Sequence, residues 1–573
     1  MRVHRSKALV AGVAVLALGL AACGSSSSTG KKGTGGGGGK GQIIWGESTE
    51  FPGNLLPIIA AGNSTAIGNL VVRVLDGPYR VSPDISYIPD PDQGTASSAT
   101  VNGQQVVTVK INPKAVWDDG KPITSADYIF TVKTQQSNDP KKGGCAALLS
   151  TTGFDQIETM KAVSDKEVQF TFFKDKPFAD WQGLFSGSSA LILSKHVIDQ
   201  GSPAATCAYI TKGWLVKDGI PAGASNGPWL LLGKNVNTQQ KTITLVPNPK
   251  YWGAQPKLAR LIYQTIGSTS DTNVKALQNQ DVDVIYPQPQ LDLVTNLKGL
   301  SGVKTEVNFG VAFEHLDFNT ADPLLKLLPV REAIALAIDR KALVAKTVGK
   351  FSDKAQVLGN RIVLNNQKGY EDHSGQYATQ NIAKAKQLLE SVGGKLGSDG
   401  IYKINGKQVS FKVITTQENP LRDQTITTIA AQVKAAGIQL TEFASPDIFA
   451  DKTKPNSLEA EGFQIALFAW VGGPSLSSNA PIYLTRSKGG GQNYSQGSDP
   501  KVDDLLGKLS AAPSADAELA LANQADSALW QDMYTLPLYQ KPTLLAYRDN
   551  ISGLADNATL AGPLWNSDKM TVQ

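Results

Sequence analysis

Residues 24–41 read GSSSSTGKKGTGGGGGKG. Nothing in that stretch can build a core: glycine, serine and threonine bring almost no apolar area, and the lysines seek water. A coil of this composition has no fold of its own. Eighteen such residues reach roughly 20–25 Å, at about 5–6 Å × √n. Any folded body must therefore lie in residues 42–573. That is too long for one hydrophobic core and calls for two or three subdomains. A GxGxxG reading of the tract carries no weight, because no strand precedes it and no helix follows.

The residues before the coil explain why a folded body would hang on it. Arg2, Arg5 and Lys7 come first, followed by 13 apolar or glycine residues, Ala8 to Leu20. Such a run is too short to span a bilayer and fits the core of a secretory signal. It ends at Leu20-Ala21-Ala22-Cys23, which resembles the lipobox of bacterial lipoproteins. The resemblance implies cleavage before Cys23, a diacylglycerol on its thiol and an acylated new N-terminus. Residues 1–22 are then a lipoprotein signal peptide, and 23–41 a lipidated cysteine with a flexible linker. Each buried methylene adds ~0.8 kcal/mol of membrane affinity, so several acyl chains hold a body firmly. The alternative is an ordinary secretion signal that happens to contain a cysteine.

Charge on the body is close to balanced. The chain has 55 Lys and Arg against 50 Asp and Glu, with a pI near 8.7. Three basic residues lie in the signal and three in the linker (Lys31, Lys32, Lys40), leaving 49 against 50. No basic stripe argues for nucleic acid. No later apolar run is long enough for a membrane helix, so the body is expected to be soluble. Outside the cytoplasm disulfides are permitted, and Cys145 and Cys207 are expected to pair; two buried free thiols are the alternative.

Catalytic and metal-binding patterns are missing. The histidines are His4, His196, His315 and His373, and none forms HExxH. There is no CxxC and no GxSxG. Ser498 and Lys501 fit SxxK, but Pro500 between them breaks the turn that would bring them together. The GGGKG ending at Gly41 lacks the Ser or Thr of a phosphate loop. No catalytic residue, metal or cofactor is expected. His196 and His373 read as lone surface histidines, and His315, in the alternating HLDFN, as a strand residue.

Along the body, β-type runs occur at 42–46, 106–111, 168–173, 242–246, 260–264, 409–414, 438–443 and 463–470. Helical spacing follows Pro329 in Val330, Ile334, Ala337 and Ile338, with Asp339-Arg340 expected to close that helix. Thr124-Ser125-Ala126-Asp127 has the capping-box pattern. Ile426, Ile429 and Val433 mark a helix ended by Gly437. Strands and helices alternate in both halves, which predicts an α/β body.

The pieces VLDGPYR (74–80), WDDGKPITSADYIFT (117–131), SNGPWLL (225–231) and NPKYWG (248–253) come in that order. DTNVKALQNQDVDV (271–284), the run 318–343, NIAKAKQLL (381–389), SDPKVDDLL (498–506) and LPLYQKP (536–542) follow. Together they resemble the family 5 solute-binding proteins of ABC importers, the dipeptide and oligopeptide binders. That resemblance implies a two-lobed, periplasmic-binding-protein-like α/β fold with a hinge. Lobe I would hold 42–310, with an inserted subdomain near 76–225, lobe II 311–544, and 545–573 would return to lobe I. The chain would be a monomer, lipid-anchored on the extracytoplasmic face. It would capture a short peptide in the interlobe cleft and deliver it to permease subunits, whose ATPases lie on the cytoplasmic side. A sugar or other small solute is the alternative cargo. A surface-anchored hydrolase would need a nucleophile–base pair that the sequence lacks.

In the peptide-binding members a cleft aspartate, in a Trp-x-x-Asp context after a strand, takes the ligand's free amine. Here the strand is followed by Trp470-Val471-Gly472-Gly473, so the aspartate position falls on Gly473. A buried ammonium without a carboxylate costs several kcal/mol. Either the amine is held elsewhere, with Glu47 in WGEST the candidate, or the cargo has no such amine. Glycine at 472 and 473 would let a bulky or neutral group approach the backbone, and Trp470 would either stack on it or fill the interface.

Overall fold

The structure is a computed structural model that describes residues 41–48, 51–186, 191–450 and 452–573. Cys23 and the linker lie outside the described residues. All eight β-type runs are strands, from Gln42–Glu47 to Ile465–Val471. Thr124 and Asp127 form the capping box of the helix Ser125–Gln135. The helix Pro420–Lys434 stops just before Gly437, whose φ is +77°. Asp339 does not close the helix after Pro329, however. That helix is Leu328–Ala337, Ile338 is extended, and Asp339 caps a new helix, Arg340–Lys346, by accepting from the Ala342 amide at 2.9 Å. A short acidic side chain with a free amide two or three residues ahead starts a helix more readily than it ends one.

Two long strands organise the molecule: Val303–Phe318, of which alternation shows only the end around His315, and Thr535–Arg548, which it does not show. They pair antiparallel at the centre of an 11-stranded sheet. On one side of the pair lie Ile465–Val471, Ser410–Thr416 and Gln439–Ser445. On the other lie Val284–Ile285, Gln42–Glu47, Arg260–Thr265, Thr242–Pro247 and Trp229–Leu230, with Val236–Asn237 branching off. Each flank contains parallel pairs, which need crossover connections. The 16 residues of Val303–Phe318 extend about 50 Å at ~3.3 Å each, enough to cross both halves. Val303–Phe309 lies opposite Pro542–Arg548, and Phe313–Asp317 opposite Thr535–Gln540, with a register break between Phe309 and Phe313. An irregularity of this kind bends a strand pair and loosens its ladder.

Because side chains alternate along a strand, this sheet feeds two cores. Leu544 and Ala546 join a core with Ile285, Phe318, Ile334, Phe411 and Leu538. Leu545 and Tyr547 join another with Ile43, Trp45, Val284 and Trp229. The first core also takes in Ala276 to Leu297, so packing crosses the expected boundary at 310. A separate core around Trp117, Tyr128, Phe170 and Phe185 spans Val107 to Ile192, over a four-stranded antiparallel sheet. It is narrower than 76–225, because Leu193, Ile210, Trp214 and Ile220 pack into the second core instead. Cys145 and Cys207 are joined, with Cα atoms 5.1 Å apart, on the side of that second core. No helix among the described residues is long and apolar enough to cross a membrane.

Candidate functional site

A cavity of about 540 Å³ opens beside the register break. One wall is the end of Ile465–Val471 and the loop after it: Trp470, Gly472, Gly473, Pro474, Ser475 and Ser478, with Phe449 above. Opposite stand the start of the helix Thr65–Val71, Arg80 and Tyr87 of a small hairpin, and the segment Thr559, Leu560, Ala561 with Trp565. The volume suits a small solute, which sites of about 300–1,000 Å³ typically hold.

Three of the four residues expected at the site meet here. Trp470 is half-buried and parallel to Tyr494 (5.9 Å between centroids, 3°) and to His315 (6.0 Å, 17°). Phe468 meets it edge-on at 5.1 Å. The indole is thus set in an aromatic cluster, and it helps shape the wall. The Gly472 amide donates to the Val311 carbonyl at 2.8 Å, tying the loop to the register break. A Cβ at Gly473 would meet nothing within 4 Å, so the chain itself does not require glycine there.

Glu47 is not among the lining residues. It ends the strand Gln42–Glu47, 5% exposed, and its carboxylate acts on the buried Tyr263, whose phenol is pushed well up by burial and then by Glu47. The sequence reads Glu47 as following a strand; in the structure it is that strand's last residue and is buried.

The carboxylate that does reach the cavity is Asp76, in the VLDGPYR piece. It belongs to a buried charge network. Arg73, 2% exposed, pairs with Asp76, with Asp90 at 3.3 Å and with Asp568 at 3.0 Å. Arg80 pairs with Asp90, its Nε donating at 2.6 Å. Burial pushes Asp76 up to about 6, the Arg73 guanidinium opposes that, and Asp90 adds to it. Arg73 is held charged: burial works against its charge and the three carboxylates outweigh it. Each charged group at the cavity already has a partner in the protein. In the sequence this network shows only as Asp76 and Arg80 within VLDGPYR, with Arg73 just before it.

Of the histidines, His315 lies in the long strand Val303–Phe318 as expected. His196 meets Asp119 at 2.9 Å. His373 is not a lone surface residue: its Nδ1 lies 2.9 Å from Asp526, and it is only 16% exposed. Among the described residues no group of His, Cys, Asp and Glu could hold a metal ion.

Residues 91–493 match the family model for bacterial extracellular solute-binding proteins, family 5 Middle. The chain belongs to that family. It is similar to the oligopeptide-binding protein OppA of Mycobacterium tuberculosis, at 28% identity over 524 residues, covering 89% of this chain and 82% of that one. Its structure resembles a periplasmic EDTA-binding protein, EppA, with a TM-score of 0.82 and 27% identity, covering 94% of this chain and 97% of the other. It also resembles the oligopeptide-binding protein AppA of Bacillus subtilis in complex with a nonapeptide, with a TM-score of 0.74 and 19% identity, covering 93% and 99%. The fold is therefore the two-lobed α/β fold of family 5 binding proteins. These relatives are named as binding proteins rather than enzymes.

Proposed function

We propose that this family 5 member is the lipid-anchored, extracytoplasmic capture subunit of an ABC importer. Cys23 carries the lipid, and the glycine- and serine-rich stretch 24–41 joins it to the body. The lobes close about the register break at 309–313, and the closed form buries the solute and presents it to the permease. The observation that carries this reading is the cavity of about 540 Å³, walled on one side by the loop after Val471 and on the other by Arg80, Tyr87 and Thr559.

The cargo is a short peptide, in keeping with the names of OppA and AppA. Trp470, Gly472 and Gly473 contact it, with main-chain groups of the loop and the aromatic side chains supplying most of the contact. Position 473 and the engaged charges favour a second cargo class as well. With Gly473 at the aspartate position and Asp76 already paired, a solute lacking a free amine fits without leaving a buried ammonium unpaired. The likeness to a protein named for EDTA binding supports keeping that class open.

Mass spectrometry of the solute that co-purifies, against a refolded and emptied control, tests both. A ladder of short peptides supports the peptide importer. A single non-peptide or amine-blocked solute moves the cargo to the second class. Release of nothing, with no small solute binding the emptied protein, overturns the capture role.

A further inference from the structure

Asp180 belongs to the subdomain that has its own core and directly precedes the turn Trp181–Phe185, whose Gly183 lines the cavity. Its Oδ2 accepts from Ser475 Oγ and, at 2.9 Å, from Ser477 Oγ, both in the loop that forms the opposite wall. The same loop is tied to the helix Ala515–Asp532, where Glu518 Oε1 accepts from the Ser477 amide at 3.0 Å. Glu518 is 4% exposed, and its carboxyl meets that of Asp180 within hydrogen-bonding contact. Two carboxylates in contact cannot both stay ionised, so the pair holds one proton between them. Burial and then Asp180 push Glu518 up to about 9, and the amides of Ser477 and Leu476 offset only part of that. The other titratable group facing the pair is Tyr87, on the strand Tyr87–Pro89; burial and both carboxylates push its phenol up, so it stays neutral. No Lys, Arg or His is among the groups that act on Glu518.

We propose that Asp180 and Glu518 form a proton-dependent latch between the two walls of the cavity, and so act as positioning residues for solute capture. With the proton shared, Asp180 holds both the loop and the helix of the facing lobe. When the walls part, Glu518 meets water and returns to the ordinary carboxyl range. The closed form therefore binds more protons than the open form, and closure weakens as pH rises. The closed-to-open ratio falls by up to tenfold per pH unit between the ordinary carboxyl range and about 9, and is flat above that.

The latch rests on the capture reading for its purpose, but its test needs no solute. Spin labels at K174C and D504C, both exposed, report the distance between the walls in the full, emptied chain from pH 6 to 10. The short-distance population of the wild type is expected to fall at least tenfold up to about pH 9 and then level off. Glu518→Gln, whose amide still donates to Asp180, is expected to keep that population at every pH. Asp180→Asn is expected to shrink the total fall. A flat wild-type profile, or a Glu518→Gln profile that follows the wild type, overturns the latch. Either result leaves the co-purification experiment untouched, and an empty co-purification result leaves the distance measurement untouched.

Discussion

Replacing Gly310 by alanine should damage the hinge and the cavity together. Gly310 sits within the register break, and its carbonyl accepts from Gln540 Nε2. A Cβ placed there would lie 1.8 Å from the Ala558 carbonyl oxygen and 2.3 Å from the Ala558 Cβ. Real Cβ contacts essentially never fall below 3.0 Å, so the segment around Ala558 must retreat by about 1.2 Å, the difference between the two distances. That movement stretches the bond from the Val311 amide to the Ala558 carbonyl, now 3.2 Å, past its useful range. Overpacking costs about 1–3 kcal/mol and a lost buried hydrogen bond about 1 more. The expected destabilisation is about 2–4 kcal/mol. Thr559, Leu560 and Ala561 follow Ala558 directly and form the cavity wall, so solute retention should drop as well. Chemical denaturation and the amount of co-purified solute, each against wild type, measure the two effects. Gly507→Ala is the control. Gly507 lies inside the helix Pro500–Ser510 with nothing within 4 Å of a new Cβ, so alanine there should stabilise by roughly 0.5–1 kcal/mol. A Gly310→Ala protein within 0.5 kcal/mol of wild type and holding as much solute would refute the coupling of break and cavity.

Three further outcomes are expected. Cys145→Ser opens a cross-link that spans 62 residues and should cost about 4 kcal/mol on the loop-entropy model; equal stability of the wild type with and without reductant would contradict the bond. His373 is raised above its ordinary value, chiefly by its hydrogen bond to Asp526, so the stability it adds is full below that ordinary value and is lost as pH rises through the raised one. His373→Gln should remove that part of the stability–pH profile, and an unchanged profile would show that the pair contributes nothing. Cys23→Ala should release the protein from the membrane fraction, and continued membrane association would count against a lipid anchor there.

What could be read from the residues, and what could not, divides along the central strands. Short apolar or alternating runs such as VVTVKI and TITLV announce themselves, because one face of each is buried and the other is not. The strand Thr535–Arg548 carries Pro537 and Pro542, and Val303–Phe318 carries Gly310, all of which read as strand breakers. They are tolerated where the ladder is already irregular, Gly310 and Pro542 at the shift between Phe309 and Phe313 and Pro537 at a second one between Glu314 and His315, and the same irregularity hides these strands from periodicity. Trp470, Gly472 and Gly473 were placed at the cleft by the resemblance, through the Trp-x-x-Asp position of the peptide-binding members, and not by any local pattern of their own. For Glu47, sequence shows that it follows a strand but not that it is buried, nor that its carboxylate acts on Tyr263. Asp180 and Glu518 lie 338 positions apart, and no local pattern could pair them.

The charge arrangement around the cavity bears on where binding energy can come from. Arg73, Arg80, Asp76, Asp90 and Asp568 satisfy one another inside the protein, so the empty cavity leaves none of these charges unpaired. A solute entering it therefore has no orphaned charge to neutralise, and the large electrostatic gain of filling one is not on offer. Beside neutral polar side chains such as Ser64, Asn479 and Gln492, the contact available is aromatic and main-chain: Trp470, Phe449, Trp565, Tyr87 and the loop after Val471. Such contacts become strong only when both walls engage the solute at once and water is excluded. Affinity in this protein should then be governed by how readily the lobes close, which depends on the break at 309–313 and the carboxyl pair across the cavity. Substitutions at those places should change affinity for every cargo alike, whereas substitutions at 449, 470 or 473 should change which cargo is preferred.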